Sequence, residues 1–386
     1  MYPTKKLKDC STIIAGQSPE SKFYNTDGIG IPFFQGKADF GELYPTIRVY
    51  CSQPIKIAEK DDILLSVRAP VGPTNLSPGT VCIGRGLSAI RPDKSLNLKY
   101  VLYFFRFFEA QLSAEGTGTT FNSITQKTIK ELEIPVPPLS EQERIVARIE
   151  ELFSELDKAV ETLQTTKRKL EVYRQASVNS AYPDESYIRL GEIAVISGGI
   201  TKGRKLDGKQ TIHLPYLRVA NVQNGFLDLS EMKEIELMED EKEKYLLQYG
   251  DVLYTEGGDR DKLGRGTVWR NEIPNCVHQN HVFKARIKAE IAIPEYVAYW
   301  SMGTYARNYF YSKGKQTVNL ASINKSILSA LPLPLPNIEE QKLIVREIES
   351  RLSVCDSIEQ TVDSALAQAD ALRQSILKEA FEGRLA

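Results

Sequence analysis

The chain has 386 residues, of which 42% are hydrophobic and 26% are charged, and its formal net charge is −1. These values are ordinary for globular proteins, and the length suits two or three domains, so wholesale disorder is excluded. No apolar run is long enough for a membrane span, and the expected location is the cytoplasm. The five cysteines are scattered without a CxxC pair, which predicts reduced thiols.

The sequence contains an internal repeat. The segment Ile134-Pro-Val-Pro-Pro-Leu-Ser-Glu-Gln142, followed by Ile145-Val146, returns 199 residues later as Leu333-Pro-Leu-Pro-Asn-Ile-Glu-Glu-Gln341, followed by Ile344-Val345. The regions that precede these two copies repeat more loosely. The duplication predicts the order module, helix, module, helix, with a pseudo-twofold internal repeat.

The predicted fold class is α+β, with two similar mixed α/β modules. Short apolar runs broken by glycine and proline predict strands, for example over 63–67, 212–217 and 282–287. A helix is expected over 100–115 and its counterpart over 296–312, each followed by a polar loop with glycine, at 116–120 and 314–317. The predicted domains are residues 1–137 (first module), 138–182 (first long helix), 183–336 (second module) and 337–386 (second long helix).

Both long helices carry a heptad pattern of apolar residues. Ser140 and Glu143 resemble a capping box at the start of the first helix, and Pro183 and Gly383 are expected to end the two helices. Packing the two apolar stripes together predicts an antiparallel coiled coil, although each stripe could instead cover its own module. The predicted coiled-coil residues are Ile145, Ile149, Leu152, Leu156, Leu163, Leu170, Ile344, Ile348, Leu352, Ile358, Val362, Leu372 and Ile376.

A search for catalytic motifs finds none that fits. The segment Gly30–Lys37 resembles a phosphate-binding loop, but its glycine spacing is too long, and Ala38 stands where Ser or Thr must bind magnesium. The three histidines form no zinc motif, so no metal site is predicted, and His278 and His281 are interpreted as satisfied strand residues. Motifs of an adenine methyltransferase or a nuclease are also missing, so no catalytic residue is assigned.

Polar and basic loops remain as candidates for DNA contacts. Arginine forks suit guanine, amide side chains suit adenine, and glycines allow the backbone to approach phosphates closely. The near-zero net charge argues against DNA, but both modules carry a slight positive charge and both helices a negative one. The candidates are Lys37, Arg68 and Arg85 in the first module, and Lys202, Arg204, Lys205, Arg218, Asn221, Arg260, Lys262, Arg265, Gln279, Asn280 and Lys315 in the second.

Over its whole length the chain resembles the specificity subunits of type I restriction-modification systems. The resemblance rests on the duplicated Pro-x-Pro and Glu-Gln segments, on the helix endings Arg174-Gln175 and Arg373-Gln374, and on Gly250-Asp-Val-Leu253. The first module departs from the pattern, with Asp61-Asp62 in place of Gly-Asp and Arg68-Ala-Pro70 where a glycine-rich turn is typical.

The resemblance implies two target recognition domains that each read one half of a bipartite site on double-stranded DNA. It also implies that the helices set the spacing and dock two methyltransferase subunits, with endonuclease and translocase subunits joining them. S-adenosylmethionine, ATP and magnesium are then expected on those partners, with no cofactor bound by this chain.

Two other interpretations stay open from the sequence. A scaffold that binds partner proteins but no DNA would suit the near-neutral charge, and gel shifts would distinguish it. An enzyme with an unrecognised active site would require turnover by the isolated chain.

Overall fold

The computed structural model describes residues 2–115, 123–183, 187–206, 208–316 and 321–385. It divides into two compact units, which are Met1–Leu163 together with Ser364–Ala386 (unit 1) and Gln164–Asp363 (unit 2). Each unit therefore contains one module and a segment of both long helices. The predicted loop at 116–120 and the end of the loop at 314–317 lie outside the described residues.

The module of unit 1 is built from short strands and two helices, and a long helix follows it. The strands are β1 (Thr4–Lys6), β2 (Ser11–Ala15), β3 (Tyr24–Asn25), β4 (Ile31–Phe34), β5 (Tyr50–Cys51), β6 (Ile57–Ala58), β7 (Ile63–Ser66), β8 (Thr74–Leu76), β9 (Val81–Ile83), β10 (Leu87–Pro92) and β11 (Glu133–Pro135). The helices are α1 (Leu98–Glu115), α2 (Gln126–Glu131) and the long α3 (Leu139–Ser180).

Two main sheets form this module, in the strand orders β2-β10-β7-β8 and β3-β5-β4-β9-β6, and β1 pairs with β11. Strand β7 is buried on both faces, which explains why its first three residues are all apolar. The largest core cluster packs Tyr100 and Phe104 of α1 against Ile145 of α3 and against Ile376 and Phe381 near the carboxyl terminus. Burial of one such side chain contributes about 1.5–3 kcal/mol.

Unit 2 has a similar set of elements. Its strands are β12 (Tyr187–Arg189), β13 (Ala194–Ser197), β14 (Thr211–Leu217), β15 (Lys233–Met238), β16 (Asp251–Thr255), β17 (Gly257–Gly258), β18 (Gly266–Val268), β19 (Val277–His278), β20 (Val282–Ile287), β21 (Lys315–Gln316), β22 (Ala321–Ser322) and β23 (Pro332–Pro334). Its helices are α4 (Leu190–Ile193), α5 (Lys242–Tyr245), α6 (Pro294–Met302), α7 (Thr304–Lys313), α8 (Lys325–Ser329) and the long α9 (Ile338–Phe381).

The main sheet of unit 2 has the order β13-β20-β16-β18, and smaller sheets have the orders β15-β14-β19, β17-β22-β21 and β12-β23. Its largest core cluster packs Tyr296 and Trp300 of α6 against Tyr254 of β16 and Val345 of α9. The strands predicted at 63–67, 212–217 and 282–287 are confirmed as β7, β14 and β20.

The helix predicted at 100–115 is α1, but its predicted counterpart at 296–312 is two helices. Gly303 interrupts it with an extended backbone (φ −69°, ψ 160°), which ends α6 and serves as the N-cap of α7. Another correction concerns the capping box assigned to Ser140 and Glu143. Helix α3 begins at Leu139, so Ser140 lies within its first turn.

A reciprocal capping box does form at the start of α9. The Asn337 side chain accepts from the Glu340 N–H at 3.0 Å, and the Glu340 carboxylate accepts from the Asn337 N–H at 3.2 Å. At the other end, Gly383 has φ 74° and the Arg384 N–H donates to the Glu379 carbonyl, as expected for a glycine that terminates a helix.

A buried glutamine fastens each long helix to its module. Gln142 accepts from the Asn97 N–H at 2.7 Å and donates to two backbone carbonyls at 2.8 and 2.9 Å. Gln341 accepts from the Ile293 N–H at 2.9 Å and donates to two carbonyls at 2.8 and 3.2 Å. Both glutamines are fully buried, so the repeated Glu-Gln segment has a packing role in each unit.

The heptad pattern describes only part of the burial on the long helices. Ile145, Ile149, Leu170, Ile348, Val362 and Ile376 are buried, and Leu152, Leu156, Leu163, Ile344 and Leu352 are half-buried. Ile358 and Leu372, which were assigned to the apolar stripe, are 39% and 50% exposed. The buried positions on α9 recur every seven residues at Ile348, Cys355, Val362, Ala369 and Ile376, so Ile358 and Leu372 lie beside the stripe.

Ion pairs join the two long helices in both units. In unit 2, Lys167 pairs with Asp363 at 2.7 Å, and Arg174 pairs with Asp356 at 2.6 Å and Glu359 at 2.8 Å.

In unit 1, Arg373 pairs with Asp157 and lies over the ring of Phe153, 5.1 Å from its centroid. The order of the partners is reversed between the two helices. In unit 2, Arg174 follows Lys167 on α3, whereas its partner Asp356 precedes Asp363 on α9.

Candidate nucleic-acid interface

The candidate site of unit 1 lies where the loops after β4, β7 and β9 meet. Strands β4 and β9 are parallel neighbours, so their carboxyl ends lie at the same edge, and the Gly84 N–H donates to the Phe34 carbonyl at 2.8 Å. A bond from the Leu87 N–H to the Gly84 carbonyl (3.0 Å) closes a four-residue turn. Arg85 and Gly86 occupy its two central positions.

The loop after β7 joins this turn through a bond from the Val67 N–H to the Gly86 carbonyl at 2.9 Å. Gly86 also has a steric role, because a Cβ atom there would lie 2.2 Å from the Gln35 carbonyl oxygen. Only glycine permits this close approach, which brings the segment after β4 against the turn. Three loops from separate strands thus form one surface.

A cleft of about 770 Å³ opens between these loops. Lys37, Arg68 and Arg85 line it together with Gln35 and Ser18, and the described residues of its lining include no carboxylate. The structure therefore brings together all three DNA-contact candidates of the first module. Gln35 and Ser18 were missed by the sequence reasoning, although Gln35 stands within the glycine-containing segment that was considered and rejected as a phosphate loop.

The cations of this cleft have little internal compensation. Arg68 and Arg85 are exposed and make no ion pair with any residue in the described ranges. Lys37 lies near the carboxyl of Glu109, whose pKa is raised by burial, an effect that Lys37 and Arg106 partly offset. The cleft thus presents positive charge and hydrogen-bond donors to an external anion or base edge.

Unit 2 assembles its loops through equivalent bonds. The Gln279 N–H donates to the Leu217 carbonyl at 3.0 Å, and the Val282 N–H to the Gln279 carbonyl at 2.9 Å. The Glu256 N–H donates to the His281 carbonyl at 2.9 Å. The segments after β14, β16 and β19 therefore meet as they do in unit 1, and Asn280 and His281 occupy the central turn positions.

Several predicted DNA contacts of unit 2 are engaged within the protein. Arg204 forms a two-pronged pair with Glu241 at 2.9 and 2.8 Å, which lowers the pKa of that carboxyl. Arg218 donates to the Asn221 Oδ1 at 3.3 Å and to the Glu231 carbonyl at 2.6 Å. Asn221 is 2% exposed and donates to the carbonyls of Asp228 and Glu231, so its assignment to DNA is wrong.

The glycine-rich segment after β16 is also pinned by local contacts. The guanidinium of Arg260 lies 4.3 Å from the centroid of the Tyr311 ring, and its Nε donates to the Tyr311 carbonyl at 3.2 Å. Lys262 pairs with Asp259, and Arg265 donates to the Gln223 Oε1 at 2.8 Å. These side chains are oriented before any ligand arrives.

The remaining candidates lie on the surface of unit 2. Lys202 and Lys205 are exposed in the segment that follows Ile200, and the Asn280 N–H donates to the Ile200 carbonyl at 2.9 Å. Gln279 and Asn280 are half-buried at the turn. Lys315 is exposed on β21, whose neighbour β22 also pairs with the β17 segment.

A buried polar layer supports the turn of unit 2. His278 is fully buried, burial lowers its pKa to about 4, and its Nδ1 donates to the Val282 carbonyl at 2.6 Å. Lys284 is 4% exposed, burial lowers its pKa to about 8, and it donates to the carbonyls of Lys244 and Leu246. The expectation that His278 is a satisfied strand residue is therefore confirmed for its Nδ1 atom, whereas its Nε2 atom has no partner within the described ranges. His281 lies in the turn itself and is exposed, so its interpretation as a strand residue is wrong.

Across the described ranges, no group of three or more His, Cys, Asp or Glu side chains is arranged to hold a metal ion. None of the helices there combines the length and apolar character needed to cross a membrane.

The sequence matches the family described as type I restriction modification DNA specificity domain twice, over residues 2–171 and 184–368. The two matches cover most of the chain, one for each module. The chain therefore belongs to the type I restriction-modification DNA specificity family.

The chain is also similar to individual proteins. A protein of Methanocaldococcus jannaschii, provisionally named the MjaX type I restriction enzyme specificity subunit, is 41% identical over 41% of this chain and 38% of its own length. The EcoKI specificity subunit of Escherichia coli is 26% identical over 80% of this chain and 70% of its own length. A crystal structure of an HsdS subunit from Thermoanaerobacter tengcongensis is 47% identical over 40% of this chain and 38% of that chain, with a TM-score of 0.38.

Proposed function

We propose that this chain reads a bipartite DNA site for a type I restriction-modification complex and performs no chemistry itself. Residues 1–137 and 183–336 act as target recognition domains, and each reads one half-site. The observation that carries the proposal is the cleft lined by Lys37, Arg68 and Arg85, where three loops present unpaired positive charge on a rigid strand framework. Arginine is the side chain best suited to guanine in the major groove.

We infer that residues 138–182 and 337–386 form an antiparallel coiled coil. The ion pairs Lys167–Asp363 and Arg174–Asp356 support this arrangement, because seven residues forward on α3 correspond to seven residues back on α9. The equivalent contacts of Gln142 and Gln341 support the internal repeat. In this proposal the paired helices set the spacing between half-sites.

We infer that the same helices dock two methyltransferase subunits, which the endonuclease and translocase subunits then join. Val172, Val354 and Leu372 of these helices are 70%, 55% and 50% exposed, so apolar surface remains there for a protein partner to cover. S-adenosylmethionine, ATP and magnesium bind to those partners rather than to this chain. Action on genomic DNA implies a cytoplasmic location.

A domain exchange tests the proposal. Residues 184–332 are replaced by the same region of a relative with another target, and the motif methylated by the reconstituted complex is sequenced. One half of the motif should change while the other half stays the same. A change in both halves, or in neither, would refute separate reading, and a wild-type complex without any motif would refute DNA reading altogether.

A further inference from the structure

Asn280 and His281 hold the two central positions of the turn between β19 and β20. The bond from the Val282 N–H to the Gln279 carbonyl closes the turn and leaves these two side chains at its centre. Arg85 and Gly86 hold the same positions in unit 1, on the wall of the basic cleft. The two units thus place different chemistry at one structural position.

A carboxylate fixes the imidazole of His281. Glu256 lies opposite His281, because Thr255 and Val282 are partners in the β16–β20 ladder. The Glu256 N–H donates to the His281 carbonyl at 2.9 Å, and the Glu256 Oε2 lies 2.6 Å from the His281 Nδ1. The His281 side chain is 55% exposed and that of Glu256 is 27% exposed, so the imidazole faces solvent while its anchor is partly covered.

The anchor determines which ring nitrogen carries hydrogen. An ionised carboxylate only accepts hydrogen bonds, so the Nδ1 of His281 must donate to Glu256. In the neutral imidazole, Nε2 is then an acceptor. The Nε2 atom lies 3.4 Å from the Nδ2 of Asn280, which can donate to it. Asn280 therefore donates to His281, and His281 donates to Glu256, so the three side chains form one chain of hydrogen bonds.

We propose that Asn280 reads an adenine in the second half-site and that His281 and Glu256 are positioning residues that fix its amide. One N–H of Asn280 is directed to His281, which leaves its Oδ1 and its other N–H for a base. An asparagine presented in this way matches the N6 amine and the N7 acceptor of adenine. The inference rests on the proposed function, since it requires that the turn meets DNA.

The chain of hydrogen bonds also disfavours guanine. Guanine offers two acceptors, O6 and N7, in the major groove, and the outward Oδ1 of Asn280 would face an acceptor. Rotation of the amide would relieve that clash but would direct Oδ1 at the Nε2 lone pair of His281. In unit 1 the residues equivalent to Glu256 and His281 are Val67 and Gly86, which form no such pair, and Arg85 stands at the reading position. We assign this chain of hydrogen bonds to the reading of the second half-site alone.

The experiment uses the full chain together with its methyltransferase subunits. Bound duplexes are selected from a pool of random DNA sequences and are then identified by sequencing. The wild-type motif should contain an adenine whose replacement by 7-deazaadenine weakens binding. Glu256→Leu and His281→Phe should each lower the preference for adenine over guanine at that position about tenfold. All other positions, including the whole first half-site, should keep their preference.

Glu256→Gln is the matched control, because its Oε1 can still accept from Nδ1 and should retain the preference. Asn280→Ala should abolish the effect of 7-deazaadenine at that position. The inference would be overturned if Glu256→Leu left the preference for adenine unchanged, or if Glu256→Gln lost as much preference as Glu256→Leu. A loss of preference spread over both half-sites would also overturn it. A wild-type chain that selects no motif would instead overturn the proposed function.

Discussion

Asp251 and Arg286 form a two-pronged ion pair across the main sheet of unit 2, with distances of 2.8 Å for Nε–Oδ1 and 2.8 Å for Nη2–Oδ2. The carboxylate is 1% exposed and also accepts from the Gln248 N–H at 2.8 Å. Asp62 and Arg91 form the corresponding pair in unit 1 at 2.7 and 2.8 Å. The Gly-Asp segment of the sequence pattern thus serves the sheet rather than DNA.

Replacing Asp251 by Ala should lower the free energy of unfolding by roughly 3 kcal/mol, because it leaves a guanidinium and the buried Lys284 without their counter-ion. The side chain of Arg286 is 39% exposed, which places the effect at the lower end of the range for buried pairs. Denaturant unfolding measures it. Glu339→Ala removes the exposed pair with Lys342 and should leave unfolding unchanged, and an equal loss in both variants would contradict the argument.

Acid should destabilise unit 2 through His278. Burial lowers its pKa to about 4, whereas the unfolded histidine titrates near 6.5, so the unfolded chain binds more protons between these values. The contribution of His278 to stability is therefore present above pH 6.5 and is lost as the pH falls towards 4. His278→Asn should give a shallower pH dependence of the unfolding free energy in that window, and parallel curves would disprove the role of His278.

The salt dependence of DNA binding should separate a free cation from a paired one. Lys202 is exposed and makes no ion pair with a described residue, whereas Arg204 is held by Glu241. Lys202→Ala should reduce the slope of log K against log salt by about one, as for one phosphate contact, and Arg204→Ala should leave the slope unchanged. Titrations between about 50 and 200 mM salt suffice. An equal drop in slope for both variants would show that the Arg204 pair opens on DNA.

The buried glutamines should be among the sensitive positions of the long helices. Gln341→Leu removes three hydrogen bonds and leaves the Ile293 N–H and two carbonyls without partners, at a cost of about 1–3 kcal/mol. Gln142→Leu should act similarly in unit 1. Gln360→Leu, at an exposed position of α9, is the control for the loss of an amide. Urea unfolding measures the loss of stability in each variant. If Gln360→Leu costs as much unfolding free energy as the other two variants, the buried glutamines have no special stabilising role.

Local patterns predicted many elements because their cause is local. The apolar runs at β7 and β20 and the heptad spacing of the long helices follow from periodicity in neighbouring residues. Gly383 ends α9 for an equally local reason, its positive φ. Asp61 adopts φ 67° where the second module has Gly250 at φ 86°, so that departure from the family pattern conserves the backbone shape.

These local patterns did not predict contacts between distant segments of the chain. The pair Arg204–Glu241 and the burial of Asn221 depend on how loops fold over one another, and nothing in the spacing of these residues indicates it. The exposure of Leu372 has the same origin, since its neighbour Ala369 takes the buried position. In unit 1, by contrast, the basic residues chosen by type do converge, because each follows a strand whose carboxyl end leads into the cleft.

The core of unit 1 includes Ile376, Leu377, Ala380 and Phe381 beside aromatic residues from the first third of the chain. A ribosome delivers those side chains only after it has synthesised the whole of the intervening sequence. The faces of Tyr100 and Phe104 that pack against them therefore stay uncovered while the second module is being translated. Removal of the segment from Ile376 to Phe381 would harm the domain that was synthesised first.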